Sequence, residues 1–321
     1  MWQPSLKFPG PSLTNNCGAD EINSIKTLDF TSVLETFFDH DENENPYLNT
    51  SYSAGYLDIQ KINTILKSQS DPIILSINIQ SLNSKHQNLC QFLSDLTKDS
   101  LCIVAVALQE IWRLPHPELL NINNFQLITK QRNLGQGGGV GFYVRDGYTV
   151  KIIKHLSPFI EKTCESLTIE IEICKKKYLL TSLYRSPSNN SEHTELFLNS
   201  FEEFLTKFTN EKRPIFIFTD SNINLLKIIT CKSSQKYLEI IHSAGFSIYN
   251  RKATRIQKCN YSMIDHVLCK NEPNQTNSAT VLCDISDHLM NFITFPAIKS
   301  KNPHQYTKSR DFSKKEHDCF L

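Results

Sequence analysis

The chain has 321 residues, 40% of them hydrophobic and 21% charged, with a formal net charge of +1. That supplies a sizeable core for one large domain with extensions or for two small ones. It excludes a polycation, so any nucleic-acid contact must come from local patches.

In chain order, residues 1–70 are rich in Asn, Ser, Asp and Pro, with an acidic stretch from Asp39 to Glu44. They read as a polar, partly disordered N-terminal extension with at most a short helix near Thr31–Phe38. Residues 71–298 then alternate between apolar runs and helical patterns. Ile73–Ile79 reads as a buried strand, and Lys85–Leu96 as a helix with Leu89, Phe92, Leu93 and Leu96 on one face. Cys102–Leu108 is a second apolar strand. Asn124–Thr129, Gly138–Val144 and Tyr148–Ile153 are shorter ones, and Gly137, Gly138 and Gly139 form a hairpin turn, since no Gly-Lys phosphate-loop pattern follows them. Leu167–Ile173 alternates with period two. Tyr178–Leu183 is a further strand and Thr194–Phe208 a helix. Ile215–Phe218 is a buried strand, Ser234–Ser243 a helix ending near Gly245, and Phe246–Tyr249, Met263–Leu268 and Leu289–Phe295 complete the set. Residues 299–321 form a basic, polar tail or truncated linker. Many strands and few helices imply large mixed sheets, not a doubly wound nucleotide-binding fold.

Ten cysteines include no Cys-x-x-Cys pair. Cys102, Cys164, Cys174, Cys231, Cys259, Cys269 and Cys283 lie singly, so free thiols in a reducing compartment are expected rather than a disulfide or zinc framework. No start-of-chain apolar stretch precedes a cleavage site, and no run of about 18 apolar residues exists. The expectation is an intracellular protein, nuclear or cytoplasmic and not secreted, with no membrane partner and no obligate protein partner.

Acidic and amide residues gather at strand ends: Asn78, Glu110, Asp220 with Asn222, Asp265, and Asp287-His288. Strand ends on one edge of a sandwich converge, so these groups are expected to line a single cleft. The inventory suits phosphodiester chemistry. A hard cation wants carboxylates, developing charge on phosphate oxygens wants donors, and a water nucleophile wants a carboxylate or His beside it.

The ordered set Asn78-Ile-Gln-Ser-Leu82, Leu108-Gln-Glu-Ile-Trp112, Tyr184-Arg-Ser-Pro187, Thr219-Asp-Ser-Asn222, Ser262-Met-Ile-Asp-His266 and Ser286-Asp-His288 resembles the endonuclease/exonuclease/phosphatase superfamily. The Gly-Gly-Gly-Val-Gly-Phe-Tyr-Val hairpin, Leu-Tyr-Arg-Ser-Pro and Asn-Ile-Asn-Leu-Leu make it similar to the endonuclease domain of LINE-type (non-LTR) retrotransposons, over about residues 73–296. The resemblance implies a four-layered α/β sandwich of two mixed sheets and a DNA-nicking, Mg²⁺-dependent phosphodiesterase, with Mn²⁺ as a substitute. It implies Glu110 as main metal ligand, with Asn78 beside it and Asp287 helping to hold metal or His288. Tyr184 and Asn222 would bond the phosphate, Asp220 would hold or activate water, and His288 would contact the phosphate, oriented by Asp265. Either Asp220 or His288 could be the base. DNA contacts are implied for Thr254, Arg255, Lys258, Tyr261 and Ser262 around a DNA-probing hairpin, and for Arg185. Thr219 and Ser221 stand where the family usually has Gly and Phe, a departure expected to loosen the packing that holds Asp220 and Asn222. Two other readings stay open: a weakened or inactive relic with at most nucleic-acid binding, and another superfamily branch acting on RNA, abasic DNA or phosphoinositides.

Overall fold

In the computed structural model, the structure describes residues 53–66, 71–97, 101–133, 135–257 and 260–296. The helix expected near Thr31–Phe38, the tail 299–321, Lys258 and Cys259 lie outside them.

The elements follow in chain order. Strand β1 (Ser53–Leu57) and helix α1 (Ile59–Leu66) precede β2 (Ile73–Asn78), α2 (Leu82–Thr97) and β3 (Ile103–Gln109). Strands β4 (Phe125–Lys130), β5 (Val140–Arg145), β6 (Val150–Ile152), β7 (Phe159–Ile160), β8 (Cys164–Ile173) and β9 (Lys176–Tyr184) come next. Helix α3 (Ser191–Thr206), β10 (Ile215–Asp220), α4 (Lys232–Ser243) and β11 (Ser247–Ile248) lead to a small hairpin of β12 (Arg255–Gln257) and β13 (Asn260–Ser262). The chain closes with β14 (Asp265–Lys270), β15 (Asn277–Val281) and β16 (Met290–Thr294).

Two mixed sheets result, ordered β1-β15-β16-β2-β3-β5-β4 and β11-β14-β10-β9-β8-β6. Parity explains their burial. In β2, Ile74 joins a core between the sheets, while Ile73, Leu75 and Ile77 join a second core with Leu89, Phe92 and Leu93 of α2. In β10, Phe216 and Phe218 enter the inter-sheet core, while Ile215 and Ile217 meet Phe197, Phe201 and Tyr237 of α3 and α4. Both faces of each central strand are covered, which is why these strands read as continuous apolar runs rather than alternating ones. The layers are therefore helix, sheet, sheet, helix, as expected from the sequence.

Buried polar pins also join the sheets. Gln109 Nε2 donates to Ser182 Oγ at 3.0 Å, and Ser182 Oγ donates to the Leu108 carbonyl at 2.7 Å.

The first sheet extends past the boundary read at residue 71. β1 pairs in parallel with β15 through Tyr56↔Thr280 and Leu57↔Val281. Tyr56 is buried and donates its hydroxyl to the Ala253 carbonyl at 3.1 Å. The polar composition of residues 1–70 masked a strand whose stability comes from its partner. β15 itself (Asn277–Val281, NSATV) was also not anticipated, since its alternation is carried by Ser, Thr and Ala. Cys90, Cys102, Cys164, Cys174, Cys231, Cys269 and Cys283 are unpaired. Among the described residues, no helix is long and apolar enough to cross a membrane.

Candidate active site

Topology brings the strand-end residues to one end of the sandwich. β2 runs parallel to β3, and β9 parallel to β10, so Asn78, Glu110, Tyr184 and Asp220 sit at or just beyond carboxyl ends. β14 and β16 run antiparallel to β10 and β2, so their starts lie at that same end and deliver Asp265 and the preceding His288. Parity then aims the side chains. Asn78 shares its face with Ile74, and Asp220 with Phe216 and Phe218, so both project between the sheets.

The centre is the Asn78 amide. Its Nδ2 donates to Glu110 Oε1 at 2.9 Å and to Asp220 Oδ2 at 2.7 Å, and stands 3.5 Å from His288 Nε2. Its Oδ1 accepts from the Gln80 N–H at 3.1 Å, which fixes the amide's orientation. In this geometry Asn78 directs its Nδ2 donor at both carboxylates.

His288 and Asp265 form a buried pair, with Nδ1 2.9 Å from Asp265 Oδ2. Thr254 Oγ1 donates to that same oxygen at 2.6 Å and accepts from the N–H groups of Asp265 and Ile264. Burial pulls the His288 pKa down, but the Asp265 carboxylate, with Asp220 and Asp287 behind it, outweighs burial and pushes it up to about 9. Asp220 is fully buried; burial and the nearby Asp265 and Glu110 carboxylates push it up to about 7, against the opposing pull of His288 and Asn78. The site therefore holds an imidazolium beside a carboxylate poised near neutrality. Tyr184 is buried with its hydroxyl against Glu110 and Ser186, and burial beside Glu110 and Asp220 keeps it protonated. Asn222, at φ 49°, donates its backbone N–H to Asp220 Oδ1 at 3.0 Å and its Nδ2 to the Arg185 carbonyl at 2.7 Å.

Asp287 is tied to the β12–β13 hairpin. Its Oδ2 accepts from Arg255 Nε at 2.9 Å, Arg255 Nη2 at 2.6 Å and Gln257 Nε2 at 2.7 Å. Its Oδ1 is buried with no hydrogen-bond partner and lies 3.8 Å from His288 Nε2. That orphaned oxygen, together with an all-carboxylate and amide donor set, fits a hard divalent cation. One atom each from Asp220, Asp265 and His288 lies within 4.8 Å of the others. Because Asp265 and His288 already bond each other, this trio reads better as an acid–base group than as ligands.

Several expected DNA contacts lie elsewhere. Arg185 is 1% exposed; its guanidinium donates to the carbonyls of Ser221 and Asn222 and to Thr194 Oγ1, and lies over the Phe197 ring. It is a scaffold beneath the site, because the residue after Tyr184 on β9 points to the opposite face. Thr254 is likewise fully buried, as the support of Asp265. Arg255, Tyr261 and Ser262 are partly exposed on the hairpin, with Arg255 already paired to Asp287.

Sequence reasoning missed a flank built by the glycine loop. Arg132 Nε donates to the fully buried Glu165 at 2.5 Å, and Nη2 donates to Ser186 Oγ at 2.6 Å. Its guanidinium lies over the Tyr184 ring. A Cβ on Gly138 would come within 2.3 Å of that guanidinium, which explains a glycine there beyond its φ of 75°. An arginine five residues ahead of a glycine run was the available signal.

Ser221, expected to loosen the site, occupies a polar niche on the helix-facing side. It is fully buried, its Oγ donates to the Ile264 carbonyl and accepts from the Ile223 N–H, each at 3.2 Å, and it lies 3.3 Å from His266 Nδ1. Tyr237 OH is 3.2 Å from that same nitrogen, while His266 Nε2 faces the Met263 carbonyl at 3.0 Å. Burial pushes the His266 pKa down to about 4, so its neutral ring donates from Nε2 and accepts at Nδ1.

No protein-family model matches the chain, and no curated protein matches it in sequence. Solved structures do match in fold. A humanized D. rerio TDP2 is similar at 16% identity and TM-score 0.52, covering 71% of this chain and 99% of its own. The endonuclease domain of TRAS1, a telomere-specific non-LTR retrotransposon, is similar at 13% identity and TM-score 0.52, covering 71% of this chain and 99% of its own. D. rerio TDP2 complexed with a single-strand DNA product is similar at 15% identity and TM-score 0.51, covering 70% and 99%. The fold is thus shared with these proteins and with an endonuclease/exonuclease/phosphatase family protein from Leptotrichia buccalis C-1013-b, similar at 13% identity and TM-score 0.50 and covering 69% of this chain and 98% of its own.

Proposed function

Proceeding from that fold, we propose that the chain is a divalent-metal-dependent phosphodiester hydrolase that nicks DNA, of the kind carried by non-LTR retrotransposons. The observation that carries the reading is the Asn78 amide, which joins Glu110 and Asp220 within 3.5 Å of a His288 ring oriented by Asp265. A hydrolytic site needs this set: a proton acceptor, a fixed proton donor and a carboxylate left for a cation.

Glu110 and the orphaned Asp287 oxygen would hold Mg²⁺ or Mn²⁺, with Asn78 beside them bonding Glu110 through Nδ2. When bound, the cation would offset negative charge on the phosphate. The chain's own groups do the rest. Asp220, poised near neutrality, accepts a proton from the water that attacks phosphorus, and Asn222, which anchors its Oδ1, keeps a second amide hydrogen for a phosphate oxygen. His288, pushed up to about 9, is protonated at neutral pH, so it donates to the phosphate and the base role falls to Asp220. Tyr184, kept protonated by burial beside Glu110 and Asp220, donates a hydrogen bond to the phosphate. The water oxygen bonds to phosphorus and stays on the 5′-phosphate, the P–O3′ bond breaks, and the departing O3′ takes a proton from solvent to become a 3′-hydroxyl.

DNA as substrate is supported by the motif pattern and by the DNA-processing proteins among the fold neighbours. The test is supercoiled plasmid incubated with Mg²⁺ or with EDTA. Nicking only with Mg²⁺ is expected, and Glu110→Ala and His288→Ala should each lose about 10²–10³ in rate while staying folded. Undiminished cleavage in either variant overturns the assignment. Faster cleavage of RNA, abasic DNA or a phosphoinositide would instead select another branch of the fold.

A further inference from the structure

Resting on the metal site of that reading, we infer that Trp112 is the positioning residue of Glu110 and the chain's built-in reporter of metal binding there. The indole Nε1 donates to Glu110 Oε2 at 3.1 Å, while Asn78 holds Oε1 at 2.9 Å. Asn78 and Trp112 thus hold one carboxylate oxygen each, the Tyr184 hydroxyl lies against the same carboxylate, and of its roughly four lone-pair sites one is left for a cation. A ligand held from behind in this way needs less ordering when metal arrives, which is how partners behind a metal's own ligands raise affinity.

The backbone is built to place that indole. Glu110 has φ 52° and Trp112 φ 62°, a region that bulky side chains enter only where their surroundings force them. Here they do. The N–H groups of Ile111, Trp112 and Arg113 bond the carbonyls of Gly139, Gly138 and Gln136 at 3.3, 2.8 and 3.0 Å. Facing them, the Ser81 and Leu82 N–H groups bond the carbonyls of Glu110 and Ile111 at 2.9 and 3.1 Å. A Cβ on Gly139 would approach Ile111 Cγ1 to 3.0 Å, so the glycine loop is pressed onto this segment. The segment 110–113 is clamped from two sides, and its product is an indole N–H against a carboxylate.

The chain has two tryptophans, Trp2 and Trp112, so Trp2→Phe leaves a single emitter at the site. In that protein, adding Mg²⁺ or Mn²⁺ alone is expected to change emission saturably, and Glu110→Gln in the same background to abolish the change. In Trp112→Phe, half-saturating Mg²⁺ should rise about 10–100-fold, read both from metal-induced thermal stabilisation and from nicking, with the rate at saturating Mg²⁺ near wild type. Emission blind to both metals, or an unchanged metal requirement in Trp112→Phe, would overturn the inference; if that variant does not fold, the emission arm decides alone. A Glu110-dependent emission response without any plasmid nicking would keep this inference and remove the DNA-nicking reading, whereas nicking without the response would do the reverse.

Discussion

The side-chain nitrogen of Asn78 lies 2.7 Å from Asp220 Oδ2, a contact across 142 positions that ties the end of β2 to the end of β10 and so one sheet to the other. The same nitrogen reaches Glu110, so one neutral donor keeps two carboxylates apart. Replacing Asn78 by Ala removes that donor. The expected outcome is a loss of about 10²–10³ in nicking rate and of roughly 1–3 kcal/mol in stability, since buried acceptors lose their partner. Plasmid kinetics and denaturant unfolding check both; a variant with wild-type nicking would refute the central placement of Asn78.

Arg132 and Glu165 form a second buried unit. The Glu165 carboxylate is fully buried and accepts from Arg132 and from the N–H groups of Gly139 and Lys162, each of the latter at 2.6 Å. Arg132→Met should destabilise by roughly 3–5 kcal/mol, because a buried charge is left without its cation. The double variant Arg132→Met/Glu165→Leu should recover much of that loss. Unfolding of both variants measures the coupling, and equal losses in the two would show that the charge is not what matters.

Ser221→Phe should cost about 1–3 kcal/mol through overpacking. The hydroxyl it removes serves the Ile223 N–H and the Ile264 carbonyl, and the His266–Tyr237 pair already fills the space around it. Melting and nicking compared with wild type decide the point. A gain in both would mean that the niche has room for a ring and that serine is a recent loss.

The pH dependence of the metal-free protein follows from His288. Its folded pKa of about 9 stands above the ordinary 6.5, so its contribution is fully present below pH 6.5 and is lost as pH rises through about 9. Integrated over that window it amounts to on the order of 3 kcal/mol. Asp220, raised from 3.8 to about 7, acts in the same direction at lower pH. In EDTA, melting temperature should therefore fall between pH 6 and pH 9, and Asp265→Asn should flatten the upper part of that fall. A wild-type melting temperature that rises across the range would exclude a charged His288–Asp265 pair.

From its pattern alone the sequence determined large mixed sheets with polar residues at strand ends, and the resemblance of its motifs added the four-layered sandwich. Continuous apolar runs such as Ile73–Ile79 and Ile215–Phe218 mark strands covered on both faces, and polar residues at their ends have no apolar role to play. Elements without such contrast escaped it: β15, buried on both faces through Ser278 and Thr280 on one and Ala279 and Val281 on the other, and β1, set in a polar segment, are strands because partners pair with them. Tertiary structure alone decided what each polar group meets. Arg185 and Arg255 are both arginines near phosphate-type motifs, yet strand parity buries one beneath Asn222 while the hairpin holds the other against Asp287. Ser221 is accommodated by His266 and Tyr237, and Trp112 reaches Glu110 only because the glycine loop bends the chain into a left-handed turn. Local pattern fixes periodicity, and so which residues are strand and which face is apolar; hydrogen-bond partners come from segments dozens or hundreds of residues away, whose approach is set by the packing of the two sheets.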